Sequence, residues 1–393
     1  MLLRPYGVMI SGELQLGLEV ELEGNKIISV RPHTGVPEPY ILSTAFVNAH
    51  SHLEYRGMLD QIPEEKYPEY WEWIMRLVEI KFNEETPEYV REQTILAAKE
   101  NKQSGIALIG ETSDRPYSGE AMDQYGLGGI IFQEVLTIYG HKDLPNHIAS
   151  IEANKQKNQK YFKGPINLSP HSPYTVDPET LGTFKNSKKL INIHVAETER
   201  EDEFFLGGKN EFNTFVDEFD FPLKPTGTRV FDYLESKGLV KENVQFVHCC
   251  ALNESEIERM ARAGVVVASC PRSNMRLKCP DTKIREMLDH GIKVGLGLDS
   301  PASGGIIDMF EEMRAALEVA NHRNRPITPE ETWNMATTMG ADSLGYSNWD
   351  IKEGASPSLI KLNYADAKCT EDILMNGSAK IVEWINEKIT SNC

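Results

Sequence analysis

Two histidines, His50 and His52, end an apolar stretch near the beginning of the chain and are the first candidates for chemistry. They follow Ala45-Phe46-Val47, and such a run predicts a buried strand. Side chains two residues apart on a strand point to the same side. Both imidazoles can therefore reach one metal ion such as zinc, which binds histidine nitrogen. The alternative is two polar residues at a strand end, so further ligands must be found.

More histidines and acids follow later apolar runs, at positions where strands are expected to end. They are Glu111, Gln133, Glu134, His171, His194, Glu197, His248, Asp299 and Ser300. With His50 and His52 included, five of the ten histidines stand at such ends. Random placement would scatter them, so this grouping favours a metal site over isolated polar residues.

The elements that must position these residues alternate between strand and helix. Strands are expected at 45–50, 105–111, 129–135, 165–170, 189–196, 243–249, 264–269 and 292–298, with helices such as 87–104, 148–160, 254–263 and 282–290 between them. This alternation predicts an α/β fold with a parallel sheet covered on both faces. Eight units predict a (β/α)₈ TIM barrel, whose active sites lie at the C-terminal strand ends. An open doubly wound sheet is the alternative.

Both ends of the chain have the pattern of short strands. Residues 1–44 alternate with period two around the turn Glu23-Gly24-Asn25, and short apolar segments recur at 359–362, 373–375 and 380–384. We expect a small β-sandwich domain built from residues 1–44 and 346–393. The metal-dependent barrel would then occupy residues 45–345.

Charge and composition favour a small-molecule partner. The formal net charge is -18, which repels nucleic acid and anionic membrane surfaces. No run approaches the length of a membrane span, and the N-terminal residues lack the apolar core of a signal peptide. The six scattered cysteines are expected to be reduced thiols in a cytoplasmic protein. A homodimer is compatible with the sequence, which has no feature that decides the oligomeric state.

Three histidines and one carboxylate suit a catalytic metal that keeps a position open for water. We assign His50, His52, His194 and Asp299 as the ligands, with Zn²⁺ as the expected ion and Fe²⁺ as the alternative. Such an ion lowers the pKa of its bound water from about 15.7 to roughly 7.

Glu197 lies three residues after His194 and can reach the pocket without binding the metal. It is expected to transfer protons, although an acid at a helix N-terminus is the alternative. His248 is interpreted as a hydrogen-bonding partner of the bound water, with direct ligation as the alternative. His171 is either part of a polar pocket wall or a packed loop histidine.

The order His50-x-His52, His194-x-x-Glu197, His248 and Asp299-Ser300 resembles the amidohydrolase superfamily over nearly the whole chain. No metal-bridging lysine is evident on the fourth barrel strand, which is similar to the mononuclear aminohydrolase branch. Three further segments, 170–175, 194–201 and 270–277, resemble methylthioadenosine/adenosylhomocysteine deaminases. The sequence of residues 48–54 resembles the corresponding segment of aminodeoxyfutalosine deaminases of menaquinone biosynthesis.

The resemblance implies metal-dependent hydrolytic deamination of a 6-aminopurine nucleoside. Conversion of 6-amino-6-deoxyfutalosine to futalosine plus ammonia is the first expectation. The alternatives are deamination of methylthioadenosine, adenosylhomocysteine, adenosine or guanine, or a chlorohydrolase or amidase on the same scaffold. A metal-free scaffold protein is disfavoured, because no ligand is missing. In the implied mechanism Asp299 takes the water proton, Glu197 protonates the ring nitrogen and His248 steadies the tetrahedral centre.

The resemblance also suggests where the substrate is held. Trp73, or alternatively Trp71, would cover the ring, and each has a core or surface role as its alternative. The remaining expected contacts are His171 in the pocket wall, Glu54 and Glu79 at the ribose, and Arg272 (or Arg56 or Arg276) at an anionic tail.

Overall fold

The computed structural model of the protein describes residues 1–363, 366–375 and 379–385. Two four-stranded parallel sheets form its centre, and their strands are all buried or nearly so. The strands are β7 (Phe46–Ser51), β8 (Ile106–Ser113), β9 (Gly128–Val135), β10 (Ile166–Pro170), β11 (Ile191–Val195), β12 (Val244–His248), β13 (Val266–Ser269) and β14 (Val294–Leu296), preceded by β1 (Leu2–Leu3), β2 (Pro5–Ile10), β3 (Glu13–Leu16), β4 (Leu18–Glu23), β5 (Lys26–Pro32) and β6 (Glu38–Thr44). All eight central strands lie where the sequence predicted them.

Helices connect and cover these strands. They are α1 (Tyr70–Asn83), α2 (Pro87–Gln103), α3 (Ser118–Gln124), α4 (Leu144–Gln159), α5 (Pro178–Thr183), α6 (Glu199–Phe205), α7 (Glu211–Glu218), α8 (Val230–Ser236), α9 (Glu254–Ala263), α10 (Pro271–Arg276), α11 (Ile284–Asp289), α12 (Pro301–Gly304), α13 (Met309–His322), α14 (Pro329–Ala336), α15 (Thr338–Ser343) and α16 (Thr370–Met375). Of the helices in the described parts of the chain, none combines the length and apolarity needed to cross a membrane.

The two central sheets have the strand orders β10-β9-β8-β7 and β11-β12-β13-β14. At one junction the Asp299 amide donates to the carbonyl of His50 at 3.0 Å, and the His52 amide donates to the carbonyl of Asp299 at 3.1 Å. At the other, the His194 amide donates to the carbonyl of His171 at 2.9 Å. The predicted α/β architecture is confirmed. The strand ladder, however, is interrupted at both junctions and does not close as one continuous barrel.

Glycine allows close approach of the chain to His50 at the centre. A Cβ atom placed on Gly297 would lie 2.8 Å from the Cβ of His50 and 2.9 Å from the Sγ of Cys270. Contacts that short force a neighbour to move. Glycine therefore lets the end of the last central strand pack directly against His50.

The ends of the chain contribute to two peripheral sheets. A five-stranded sheet has the order β16-β15-β6-β2-β3, where β15 (Leu359–Leu362) pairs antiparallel with β6 and β16 is Ile381–Trp384. A three-stranded sheet has the order β1-β4-β5. Strands from both chain ends thus share one sheet.

One segment of this region was predicted wrongly. Residues 373–375 were expected in the sheet, but they form the end of α16, where Ile373 and Leu374 are buried. Acidic residues Glu371 and Asp372 in the first turn favour the helix. Residues 364–365, 376–378 and 386–393 of the expected end domain lie outside the described residues. The division into residues 1–44 with 346–393 and residues 45–345 stays a prediction.

The three-stranded peripheral sheet contains a buried charged group, Glu19 on β4, which is 0% exposed. Its carboxylate accepts hydrogen bonds from the Thr34 amide at 3.1 Å, from Arg31 Nε at 2.9 Å and from Arg4 Nε at 3.2 Å. Burial alone would raise the pKa of Glu19, but the hydrogen bonds from Thr34, Arg31 and Arg4 lower it to about 2. This carboxylate therefore joins β4 to its neighbours in the ionised form.

Replacing Glu19 with glutamine is expected to lower the midpoint of thermal unfolding at neutral pH. Because the folded-state pKa is depressed, the stabilisation is present above the ordinary value of 4.5 and is lost as the pH falls toward about 2. Calorimetry near pH 7 and near pH 3 should show the difference from wild type shrinking at the lower pH. Glu21→Gln, a partly exposed carboxylate on the same strand, is the control and should cost less. Equal stability of Glu19→Gln and wild type near pH 7 would contradict this account.

Candidate metal centre and active site

Four side chains expected to bind a metal meet where the central strands end. His50 Nε2 lies 3.6 Å from Asp299 Oδ1, and His52 Nε2 lies 3.8 Å from the same oxygen. His52 Nε2 also faces His194 Nε2 at 3.3 Å. All four side chains are at least nine-tenths buried. The structure thus brings together residues from β7, β11 and the end of β14 that are up to 249 positions apart in the chain.

The protonation states of these groups suit a metal ion. Burial lowers the pKa of His50, and it lowers the pKa of His52 and His194 well below the usual range. Burial alone would raise the pKa of Asp299, but His50 and the neighbouring histidines hold it well below its ordinary value. The cluster is therefore neutral imidazole plus carboxylate, the forms in which these residues bind metals.

The hydrogen-bond partners of His194 and His50 direct one ring nitrogen of each toward the cluster. His194 Nδ1 donates to the carbonyl of His171 at 2.8 Å, so its Nε2 carries the lone pair. Among the described residues, His50 Nε2 is buried without a hydrogen-bond partner. A buried polar atom in that position is costly unless a ligand satisfies it. The residues present therefore fit a divalent metal.

Three hydroxyl groups that the sequence analysis missed orient the ligands. Ser273 Oγ and Ser303 Oγ donate to Asp299 Oδ2 at 2.6 and 2.8 Å, which leaves Oδ1 toward the histidines. Thr112 Oγ1 lies 3.3 Å from His50 Nδ1. Such outer partners fix the orientation of metal ligands. Ser273 stands in a segment already singled out by its resemblance, but no pattern in the sequence connected it with Asp299.

The backbone is unusual where the site is built. Four residues there have positive φ angles: His248 (69°), Asp299 (53°), Ala196 (50°) and Cys249 (58°). Residues other than glycine rarely adopt this conformation. Each costs on the order of 1–3 kcal/mol and persists only where the surroundings enforce it. Here the Ala251 amide donates to the carbonyl of Ala196 at 2.8 Å, which holds one of these turns.

Glu197 lies beside the cluster without joining it. Its Oε1 is 3.6 Å from His248 Nε2, and its Oε2 accepts a hydrogen bond from the hydroxyl of Tyr70 at 3.0 Å. Burial raises the pKa of Glu197. The helix-capping role belongs to Thr198 and Glu201, which form the capping box of α6. The Glu197 carboxyl is consequently available to the cavity, and Tyr70 is a partner that the sequence analysis did not identify.

His248 faces the same space from β12. Its Nδ1 contacts Asn274 Oδ1 at 2.8 Å; an amide oxygen only accepts, so Nδ1 donates and Nε2 faces Glu197. His50, His194 and His248 also bring three ring nitrogens within 4.8 Å of one another. This geometry allows His248 either role that the sequence left open.

A cavity of about 70 Å³ opens onto these groups. Trp73 lies in its wall, where its Nε1 donates to the carbonyl of Ala302 at 3.0 Å. His171 lies there too, with Nδ1 at 2.9 Å from Thr175 Oγ1. The cavity is lined by His52, Tyr55, Tyr70, Trp73, Ile74, Leu77, His171, Tyr174, His194, Glu197, His248, Asp299 and Ser300.

Three of the expected substrate contacts do not line this cavity. Glu54 is buried away from it, hydrogen-bonded to Ser113. Glu79 is 58% exposed and pairs with Arg76, because it falls on the outer face of α1. Arg272 donates to the carbonyl of Ile306 at 2.8 Å, at an exposed position. The other two arginines considered are engaged elsewhere: Arg56 with Glu100, and Arg276 with the carbonyls of Ile62 and Tyr67.

Comparison with known proteins gives consistent matches. The model of the Amidohydrolase family matches residues 41–388. A 5'-deoxyadenosine deaminase of Methanococcus vannielii is 29% identical over 338 residues, covering 82% of this chain and 74% of that protein. A 5-methylthioadenosine/S-adenosylhomocysteine deaminase of Pyrococcus furiosus is 28% identical over 371 residues, covering 89% and 79% respectively.

Solved structures share the fold at low sequence identity. An adenosine deaminase from Xanthomonas campestris with bound zinc superposes with a TM-score of 0.80 at 20% identity, covering 98% of this chain and 91% of that one. A zinc complex of atrazine chlorohydrolase from Arthrobacter aurescens has a TM-score of 0.75 at 19% identity, covering 93% and 88%.

Metal analysis of purified variants tests the ligand set. Wild-type protein produced with added zinc is expected to hold about one equivalent, and Asp299→Ala less than about 0.2 equivalents, because one of four ligands is removed. Glu197→Gln is the matched control, since its side chain lies in the same cavity but is not among the assigned ligands, and it should retain the metal. Stoichiometric zinc in Asp299→Ala would show that the assigned ligands are wrong.

Proposed function

Because the chain belongs to the amidohydrolase family, we propose that it is a metal-dependent hydrolase that releases the 6-amino group of a purine nucleoside as ammonia. The observation that carries this proposal is the buried Glu197 carboxyl, which lines one cavity with His52, His194 and Asp299 of the expected ligand set. A carboxyl with a raised pKa beside a metal-binding cluster is suited to proton transfer during hydrolysis.

The metal would be held by His50, His52, His194 and Asp299, and when bound it would supply an acidified water at neutral pH. Asp299 Oδ1 faces the histidines and is placed to take up the proton that the attacking water releases. The other Asp299 oxygen already accepts two hydroxyl donors, so the carboxylate keeps its orientation as it does so. Zinc is the first candidate: it is bound in two of the fold relatives, and iron is the alternative.

Glu197 and His248 are proposed to handle the remaining proton transfer and hydrogen bonding. Burial raises the pKa of Glu197, which favours its protonated form, and that proton can pass to a ring nitrogen of the aminopurine. His248 Nδ1 donates to Asn274, so its Nε2 can accept a hydrogen from the attacking water and, once protonated, can donate to the oxygen on the tetrahedral carbon. The rings of Trp73 and His171 line the space where the purine would lie.

The names of the relatives favour some nucleosides over others as the substrate. They are named as deaminases of 5'-deoxyadenosine and of methylthioadenosine and adenosylhomocysteine, and these nucleosides are better supported than 6-amino-6-deoxyfutalosine. A chlorohydrolase shares the fold, but the buried proton-transfer carboxyl and the named relatives favour deamination. We also propose that the two central sheets are halves of one (β/α)₈ barrel, with the main-chain hydrogen bonds at both junctions as support.

Ammonia release tests the proposed activity directly. Zinc-loaded protein should deaminate at least one adenine nucleoside when adenosine, 5'-deoxyadenosine, methylthioadenosine, adenosylhomocysteine and aminodeoxyfutalosine are compared, with guanine and atrazine as alternatives. The conversion of the aminopurine to the oxopurine can be followed by ultraviolet absorbance. Fully metallated protein that releases no ammonia from any of the nucleosides would overturn the proposal.

Glu197→Gln separates metal binding from proton transfer. The variant should keep its zinc but lose about 10²- to 10⁴-fold in kcat, because an amide cannot carry the proton. Steady-state kinetics and metal analysis on the same preparation measure both quantities. Glu79→Gln, an exposed acid on α1, should behave as wild type. Full turnover of Glu197→Gln would remove this residue from the mechanism.

Tyr70→Phe tests whether the hydroxyl at 3.0 Å positions Glu197. Loss of this hydrogen bond to a carboxylate is expected to lower kcat roughly 10-fold with little effect on zinc content. The pH–rate profile should also move, since the hydroxyl lowers the pKa of Glu197 against the effect of burial. Tyr233→Phe is the control, because the Tyr233 hydroxyl is buried without a hydrogen-bond partner among the described residues. An unchanged profile in Tyr70→Phe would contradict the positioning role.

A further inference from the structure

A second cavity, also of about 70 Å³, adjoins the metal cavity. The two share six lining residues, which include Tyr55, Tyr70 and Tyr174. We call the second cavity the aromatic chamber, and the walls that it does not share are mainly apolar. The unshared residues are Trp71, Val78, Leu136, Tyr139, Phe212 and Phe215, together with Lys81 and Thr175.

The apolar walls of the aromatic chamber are held by ring contacts between two helices. Trp71 on α1 contacts Phe212 and Phe215 on α7, with ring centroids 5.5 and 5.7 Å apart. Phe212 also contacts Tyr174, which borders the metal cavity, at 4.6 Å. Positions 212 and 215 are three residues apart and so lie on one face of α7. The chamber is therefore a packed, preformed continuation of the metal cavity.

The positive charge of the lysine in the lining of the aromatic chamber is already paired with other side chains of the protein. Lys81 is a buried lysine in its lining, and its Nζ lies 3.1 Å from Asp114 Oδ2 and donates to the Tyr55 hydroxyl at 2.8 Å. The Glu54 carboxyl is 4.0 Å away. The other basic residue in the lining is His171, whose Nδ1 already contacts the Thr175 hydroxyl at 2.9 Å. Among the described lining residues there is no arginine.

We propose that the aromatic chamber binds the substituent on the 5' carbon of the nucleoside and selects an uncharged, apolar one over an amino-acid tail. The inference rests on the proposed function, which places the 6-amino carbon at the metal and so directs the far end of the nucleoside away from it. A methyl or methylthio group gains from apolar contact there. A zwitterionic tail would lose its hydrating water on entering the chamber, which is unfavourable. Lys81 would not compensate for this loss, because it is already paired with Asp114 and Tyr55.

Relative kcat/KM values on one zinc-loaded preparation test the selection. Methylthioadenosine and 5'-deoxyadenosine should each exceed adenosylhomocysteine by about 10-fold or more. They should also exceed adenosine, whose 5'-hydroxyl would enter an apolar space. A kcat/KM for adenosylhomocysteine that equals or exceeds that of methylthioadenosine overturns the chamber proposal while leaving deamination intact. Inactivity toward every nucleoside would instead overturn the proposed function.

The substitution Phe215→Ala tests whether the wall of the aromatic chamber causes this substrate selectivity. The ratio of kcat/KM for methylthioadenosine to that for adenosine should fall by about 10-fold, since apolar contact with the substituent is lost. Both substrates are measured on the same preparation, so the ratio does not depend on the fraction of folded enzyme. Phe219→Ala is the matched control: its ring contacts Phe215 and Tyr139 but does not line the chamber. An unchanged ratio in Phe215→Ala, or an equal fall in Phe219→Ala, would overturn the assignment.

Discussion

Burial of three imidazoles and one carboxylate at a single point is the constraint on which the rest of this structure depends. Four polar groups taken out of water are costly unless they are neutral, paired or bound to a metal. Here burial keeps His50, His52 and His194 uncharged, and their proximity keeps Asp299 ionised. The same burial therefore creates the donor set that a divalent ion requires. Ser273 and Ser303 satisfy the carboxylate oxygen that faces away from the histidines.

The way the strands meet follows from this constraint. The ladder is interrupted at two junctions, and the main-chain groups that join the sheets there belong to His50, His52, Asp299, His171 and His194. Residues outside regular pairing can adopt backbone angles that a ladder forbids, as Asp299 does with its positive φ. The side chains of the candidate metal cluster thus lie where the sheets are least regular, with one sheet on either side of them.

Helix α1 connects the reacting groups to the space beyond them. One face carries Tyr70, Trp73, Leu77 and Lys81, all buried. Tyr70 donates a hydrogen bond to the Glu197 carboxyl, Trp73 lines the metal cavity, and Lys81 borders the aromatic chamber with its charge already paired. Proton transfer and choice of substituent would then depend on the same helix, because one stripe of side chains lines both cavities.

The sequence by itself determined the eight central strands and the residues at their ends, because apolar runs and strand periodicity are local properties of the chain. His50-x-His52 was readable for the same reason, and the C-terminal ends of parallel strands converge by geometry alone. Even Glu79 could have been placed outside the cavity, since helical periodicity puts it opposite Trp73 and Leu77.

Other features were decided only by the tertiary structure. The Tyr70–Glu197 hydrogen bond joins residues 127 positions apart, and the aromatic chamber brings Trp71 against Phe212 and Phe215. No local pattern encodes such pairs, because each depends on how a helix sits over the strand ends. Local patterns determine which residues reach the edge of a sheet. Packing between distant elements determines what those residues meet there.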